Sequence, residues 1–248
     1  MGTTEFTEGT LLDGRVFFRQ PKQGYRSAID PLLLQAVAVG SPTDLVLDAG
    51  IGAGAASLTL AARHQALSII GVERDPLTAD LTAHNIRTNG WQDRIHVIRA
   101  DCRRLPFPGN RFDRVMTNPP FHDPVHHTPA GQDRARMANA QTGEDLQLWL
   151  GECLRALRPQ GWFTLIHKAD ALPAIVAGLA GRLGDLHILP LLSKVGAAEA
   201  KRVIVTGRKA SRGRARVLSP VVVHEDDGRY TKPVLAALRD GDPLIEID

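Results

Sequence analysis

The segment Asn118-Pro119-Pro120-Phe121 follows Phe112-Asp113-Arg114-Val115-Met116-Thr117, a run that reads as a strand leaving a sheet. Two successive prolines have no N–H to donate and cannot continue a ladder, so the chain must leave in a stiff, extended turn. Such a turn fixes one amide side chain, one ring and free backbone carbonyls, which together can grip a flat polar group such as the amino edge of a purine. Without context the same residues also read as a plain loop exit. A second candidate is Asp48-Ala49-Gly50-Ile51-Gly52-Ala53-Gly54, between an apolar strand and a helix. Glycines there let backbone approach a ligand at a helix start. Gly50, Gly52 and Ala55 also satisfy the dinucleotide pattern G-x-G-x-x-G/A, so the glycines alone do not exclude NAD. Glu73 ends the next strand, about twenty residues downstream, where a carboxylate can accept both hydroxyls of an adenosine ribose. Asp101 ends the strand after that; it could accept from an adenine amine or cap a turn.

These positions need an alternating scaffold, and the sequence supplies one. Strands are expected at 44–48, 67–73, 94–100, 113–117 and 162–166, and helices at 55–62, 76–89, 144–157 and 172–182. Alternation of this kind predicts a parallel sheet covered by helices on both faces. The segments 186–189 and 202–205 are also strand-like, but the link Ser193–Ala200 is too short for a parallel crossover. They should pair as an antiparallel hairpin. The expected fold is therefore α/β and Rossmann-like, with a seven-stranded, mostly parallel sheet whose last strand is antiparallel. Residues 1–42 form a lead-in with a strand at 15–20 and a helix that Asp30 could cap ahead of Pro31. Residues 43–210 form the core and 211–248 a C-terminal extension. Residues 122–143 are the one long unpatterned stretch, and a loop of that length beside a site is often functional.

With 248 residues, 43% hydrophobic and 23% charged, the chain has the composition of a soluble globular domain. No apolar run is long enough to cross a membrane, and the N-terminus lacks the pattern of a secretory signal. Cys102 and Cys153 have no metal-ligand spacing and read as buried small hydrophobes in a reduced, cytoplasmic setting. Seven Lys or Arg and no acid lie between Lys201 and Arg216. That segment is either a nucleic-acid footprint or a solvated loop.

Taken together, the glycine turn, Glu73, Asp101, the Asn-Pro-Pro-Phe turn and the terminal hairpin resemble a class I S-adenosylmethionine-dependent methyltransferase. Within that class the chain resembles the bacterial tRNA1(Val) adenine-37 N6-methyltransferase group over about residues 10–210. The resemblance rests on Gly24-Tyr25-Arg26-Ser27-Ala28-Ile29-Asp30-Pro31-Leu32-Leu33-Leu34, on Gly71-Val72-Glu73-Arg74-Asp75-Pro76 and on Asn118-Pro119-Pro120-Phe121. Phe121 stands where many members of that group carry Tyr. The resemblance implies that Asn118 and the carbonyl of Pro119 accept from the amine while Phe121 stacks on the base. It implies an S-adenosylmethionine site formed by Tyr25, Asp30, Asp48, Gly50, Gly52, Gly54, Glu73, Asp101 and Asn118. Pro120, His122, Arg134 and Arg136 would face the substrate, which would be RNA and most directly tRNA. No metal is implied: His122, His126 and His127 match no metal spacing, and methyl transfer to an amine needs no strong base.

Three other readings compete. The same chemistry serves guanine N2 in ribosomal RNA or a protein glutamine. A silent nucleic-acid-binding module on this scaffold would not need Asn118. An NAD-dependent oxidoreductase would leave the Asn-Pro-Pro-Phe turn unexplained.

Overall fold

A computed structural model describes residues 5–22, 29–38, 41, 43–120 and 132–245, with the backbone alone for 132–143. The chain opens with β1 (Phe6–Leu11) and β2 (Val16–Pro21), an antiparallel hairpin separate from the main sheet. Its turn, Leu12-Asp13-Gly14, takes three successive positive φ angles of 49°, 52° and 92°. Only the second strand was visible in the sequence, because Thr7, Glu8, Gly9 and Thr10 give β1 no apolar alternation.

The helix α1 (Asp30–Gln35) follows the lead-in. Asp30 does not cap it: Ile29 is the capping residue, makes no side-chain cap bond, and Asp30 lies in the first turn. The alternation then runs as expected through β3 (Leu45–Ala49), α2 (Ala55–Arg63), β4 (Ser68–Glu73), α3 (Pro76–Thr88), β5 (Ile95–Arg99) and β6 (Phe112–Thr117).

Helix α4 (Gln132–Ala156) corrects one expectation. Its helical backbone begins at Gln132, so the unpatterned stretch read as 122–143 is shorter by its second half. Residues 132–143 contain helix formers but no apolar stripe, so propensity built a helix that periodicity could not reveal.

The chain continues through β7 (Leu157–Lys168), α5 (Leu172–Leu179), β8 (Leu183–Lys194), β9 (Arg202–Lys209), β10 (Arg216–Val217), β11 (Val221–His224) and α6 (Lys232–Arg239). Seven strands lie in the order β8-β9-β7-β6-β3-β4-β5. The five from β7 to β5 are mutually parallel, and β9 runs antiparallel to both β7 and β8. This is the expected sheet with its reversed hairpin. Two short strands, β10 and β11, extend it to nine by pairing parallel with the outer edge of β8.

Neighbouring residues on the inner strands are buried on opposite faces, as in Val46 and Leu47 of β3. Val46, Ile69, Met116 and Ile166 pack with Leu33, Leu34, Leu58 and Val234 from α1, α2 and α6. Leu47, Val72, Val115 and Phe163 pack with Leu150, Leu154, Ile175 and Leu179 from α4 and α5. Cys102 and Cys153 are buried in this second layer, where burial pushes both thiols well above their ordinary range.

Candidate active site

The three glycines between β3 and α2 all take positive φ: 81° at Gly50, 55° at Gly52 and 94° at Gly54. Gly54 is the left-handed residue immediately before α2. Two backbone bonds anchor the turn, from the amides of Gly50 and Ile51 to the Val72 carbonyl at 2.9 and 3.0 Å. Gly50 is needed for space as well as for its φ, since a Cβ there would lie 2.9 Å from Cζ2 of Trp149. A Cβ on Gly52 would meet nothing within 4 Å, so that glycine faces open space.

Helix α3 holds the turn from the other side. Thr82 Oγ1 donates to the Gly52 carbonyl, and Asn85 Nδ2 donates to the Ala53 carbonyl at 2.9 Å. Asn85 also pairs with both backbone groups of Arg19 in β2, at 2.8 and 3.0 Å. One helical turn later, Asn89 does the same to Phe17, at 2.8 and 2.9 Å. Two amide side chains thus take the place of a missing neighbour strand for β2.

Glu73 stands at the end of β4 beside the glycine turn. One carboxylate oxygen accepts from the Gly52 amide (3.2 Å) and the other from the Asp75 amide (2.8 Å). Each oxygen keeps a further acceptor position. Asp101 realises the turn-capping alternative: it accepts from the Arg103 amide at 2.9 Å and is paired with the Arg103 guanidinium at 2.6 Å. The side-chain hydrogen bond from Arg103 holds the Asp101 carboxyl below the usual carboxylate range. Arg103 reaches on to Asp145 of α4 at 2.9 Å, tying the end of β5 to that helix.

Asp48 is buried beneath the turn, with Ser57 Oγ donating to it at 2.6 Å. Burial pushes its carboxyl up to about 7; the Ser57 bond opposes the shift and the nearby Glu73 charge adds to it. The unfolded chain loses this proton near the ordinary value of 3.8, whereas the folded chain keeps it to about 7. The native state therefore binds the extra proton in that window. Stability should fall as pH rises through it, by up to about 1.4 kcal/mol per unit. Asp48→Asn keeps an acceptor for Ser57 and should flatten that fall. Melting temperatures between pH 5 and 8 test this, and an unchanged slope would place the titrating proton elsewhere.

β6 ends at Thr117, and Asn118, Pro119 and Pro120 leave the ladder as expected. Asn118 is half-buried, Pro119 buried and Pro120 exposed. The two turns are joined directly. Thr117 Oγ1 donates to the Ala49 carbonyl at 2.7 Å, and Trp149 Nε1 donates to Thr117 Oγ1 at 2.9 Å. Trp149 thus packs on Gly50 while holding the residue before Asn118. Sequence reasoning missed this role, because Trp149 sits among core leucines at helical spacing and nothing local separates it from them.

Asp30 lies at the rim near the carboxyl ends of the parallel strands, ion-paired to Arg202 of β9 at 2.9 Å. Tyr25, Phe121, His122, His126 and His127 lie outside the described residues. Arg134 and Arg136 fall in the first turns of α4, with side chains outside the described set. Among the described residues no group of three His, Cys, Asp or Glu is placed to hold a metal ion. No helix among them is long and apolar enough to cross a membrane.

The reversed strand β9 separates this sheet from an NAD-binding Rossmann sheet, whose strand order is 3-2-1-4-5-6. Fold and glycine turn define a class I S-adenosylmethionine-dependent methyltransferase. The site fits that cofactor, with open space beside Gly52 and a carboxylate at Glu73 that keeps acceptor positions.

A methyltransferase-domain family matches residues 46–161. The tRNA1(Val) (adenine(37)-N6)-methyltransferase of Tolumonas auensis is 31% identical over 198 residues, covering 79% of this chain and 80% of that protein. The protein of the same name from Porphyromonas gingivalis is 30% identical over 207 residues, covering 78% of each. The chain belongs to this methyltransferase family. Among solved structures, an Agrobacterium tumefaciens protein described as a predicted O-methyltransferase has a TM-score of 0.69 at 24% identity, covering 84% of this chain and 94% of that one. TYW2 of P. horikoshii, in complex with MeSAdo, has a TM-score of 0.55 at 16% identity, covering 85% and 74%. At these identities the structures speak for the fold and not for the acceptor atom.

Proposed function

We propose that this protein transfers a methyl group to the exocyclic N6 of an adenine in tRNA, at position 37 of tRNA1(Val) as the names of its relatives state. The observation that supports the reading is the link between the two turns: Trp149 packs on Gly50 and bonds Thr117, the residue before Asn118. S-adenosylmethionine, when bound, supplies the electrophilic methyl of its sulfonium. Gly50, Gly52, Gly54 and Glu73 would hold the cofactor, and the family resemblance adds Asp48, Asp101, Asn118, Tyr25 and Asp30 to its site.

The chain's own task is to make the amine reactive. The adenine amine is a poor nucleophile because its lone pair is delocalised into the ring. Asn118 Oδ1 and the Pro119 carbonyl each accept one of its hydrogens, which draws the nitrogen toward tetrahedral geometry and localises the pair. Phe121 fixes the ring plane by stacking. Pro120, His122, Arg134 and Arg136 face the nucleic acid. Positioning and preorganised dipoles then carry much of the rate. The proton leaves only after the nitrogen has gained positive charge, so water suffices to take it. A base inside a helix must be flipped out to enter such a site, which favours a loop adenine. A tRNA substrate favours a cytoplasmic setting.

Nucleoside mass spectrometry of tRNA from a strain lacking this gene tests the reading. We expect N6-methyladenosine to disappear from one tRNA. Loss of N2-methylguanosine alone would overturn the assignment.

A further inference from the structure

The fold divides the basic segment 201–216 into residues engaged within the protein and residues left exposed at a sheet edge. Its first members lie at the active-site rim and are neutralised: Arg202 pairs with Asp30 and Lys201 with Glu199. Lys209 is spent internally, donating to the carbonyls of Leu154 and Leu157 and to Asn110. The last three members, Arg212, Arg214 and Arg216, run along the outer edge of β8, all exposed and, among the described residues, without an ion pair. The backbone beneath them is pinned. The Asp185 amide donates to the Gly213 carbonyl at 2.8 Å, and a Cβ on Gly213 would lie 2.8 Å from that of Asp185. Arg212 and Arg214 flank this anchored glycine, and Arg216 pairs in register with His187.

Arg208 completes the patch, its guanidinium 5.5 Å from the ring centre of Trp162. The other neighbour of that indole is His187, stacked on it at 6.5 Å. The ring is therefore already engaged and offers no open platform for unpaired bases, which single-strand binders require. What the patch presents is positive charge on a fixed edge, suited to the phosphates of a helical stem.

Arg216 is level with Thr164 and Met116 through the registers of β8, β9, β7 and β6. Four strand spacings separate it from β6, so it stands roughly 20 Å from Asn118. A target loop seated at the Asn118 turn cannot also cover this edge, whereas the stem of a larger folded RNA can.

We propose that Arg208, Arg212, Arg214 and Arg216 form a second, sequence-independent contact for the phosphate backbone of an RNA stem, apart from the methyl-transfer site. This rests on the RNA substrate proposed above. The competing account is that these arginines only guard an exposed sheet edge against pairing with other chains.

The test compares wild type with the triple variant Arg212→Gln, Arg214→Gln, Arg216→Gln and the matching triple Lys variant. Binding of an RNA duplex of about 16 base pairs with no target adenine reads the patch without methyl transfer. The Gln variant should lower the log–log salt slope of that binding by about two to three, at roughly 0.7–0.9 per lost contact. With a folded tRNA1(Val) transcript, KM should rise about tenfold or more at unchanged kcat. A hairpin carrying only the target loop should keep its KM. The Lys variant should bind like wild type. Unaltered duplex binding in the Gln variant, or an equal KM change for tRNA and hairpin, would overturn the proposal. Duplex binding that depends on the arginines while no tRNA is methylated would sink the acceptor assignment and leave this contact standing.

Discussion

Asn118→Ala should lower kcat by about a hundredfold or more, the scale of losing one preorganised polar partner of a reacting group. The effect on cofactor affinity should be much smaller. The substitution removes one of the two acceptors proposed to localise the amine lone pair and leaves the Pro119 carbonyl in place. The backbone should stay where it is, because Thr117 remains in the β6 ladder and keeps its bonds to Ala49 and Trp149. Single-turnover methylation of a tRNA transcript, beside a titration with S-adenosylmethionine, separates the two effects. If cofactor binding collapsed and turnover of the residual complex held, Asn118 would serve the cofactor alone and have no part in an amine clamp.

Gly50→Ala should abolish detectable cofactor binding and lower stability by roughly 2–3 kcal/mol, from two independent sources. A left-handed φ of 81° costs a residue with a Cβ about 1–2 kcal/mol. The new methyl would also lie 2.9 Å from Trp149 Cζ2, and that indole cannot swing away without breaking its bond to Thr117. The displacement therefore spreads to both turns. Adding Trp149→Leu to Gly50→Ala should recover part of the melting temperature, by removing the clash, and none of the methyl transfer. Full recovery of activity in the double variant would show that Trp149 positions nothing.

How much of this was legible depended on how local each cause is. The strands β3, β4 and β6 are short apolar runs, and their alternation with helices predicts that they lie parallel. The hairpin of β8 and β9 followed from the length of one link, Ser193–Ala200. The glycine turn and the Asn-Pro-Pro turn announce themselves because each constrains its own backbone. What stayed hidden depends on partners distant in sequence. Trp149 meets Gly50 from 99 positions away. Asp101 reads equally as a ligand or a turn cap, and its pairing with Arg103 shows only in the structure. Asp30 reads as a cap, yet it serves Arg202. The charge run at 201–216 reads as one unit, because composition cannot show that β9 carries its first residues to the rim while the turn after it leaves the last ones at the far edge.

Asn85 carries a consequence for which replacements its position can accept. The side chain is fully buried and uses both amide hydrogens and its oxygen on backbone groups of two separate segments, β2 and the glycine turn. Aspartate has the right length but would face two carbonyls with no hydrogen to offer. Glutamine has the right groups on a longer arm. Every other choice strands at least one peptide group in a dry interior. Among sequences that keep this arrangement the position has a permitted alphabet of one letter, set by hydrogen-bond supply alone and by no contact with the reaction.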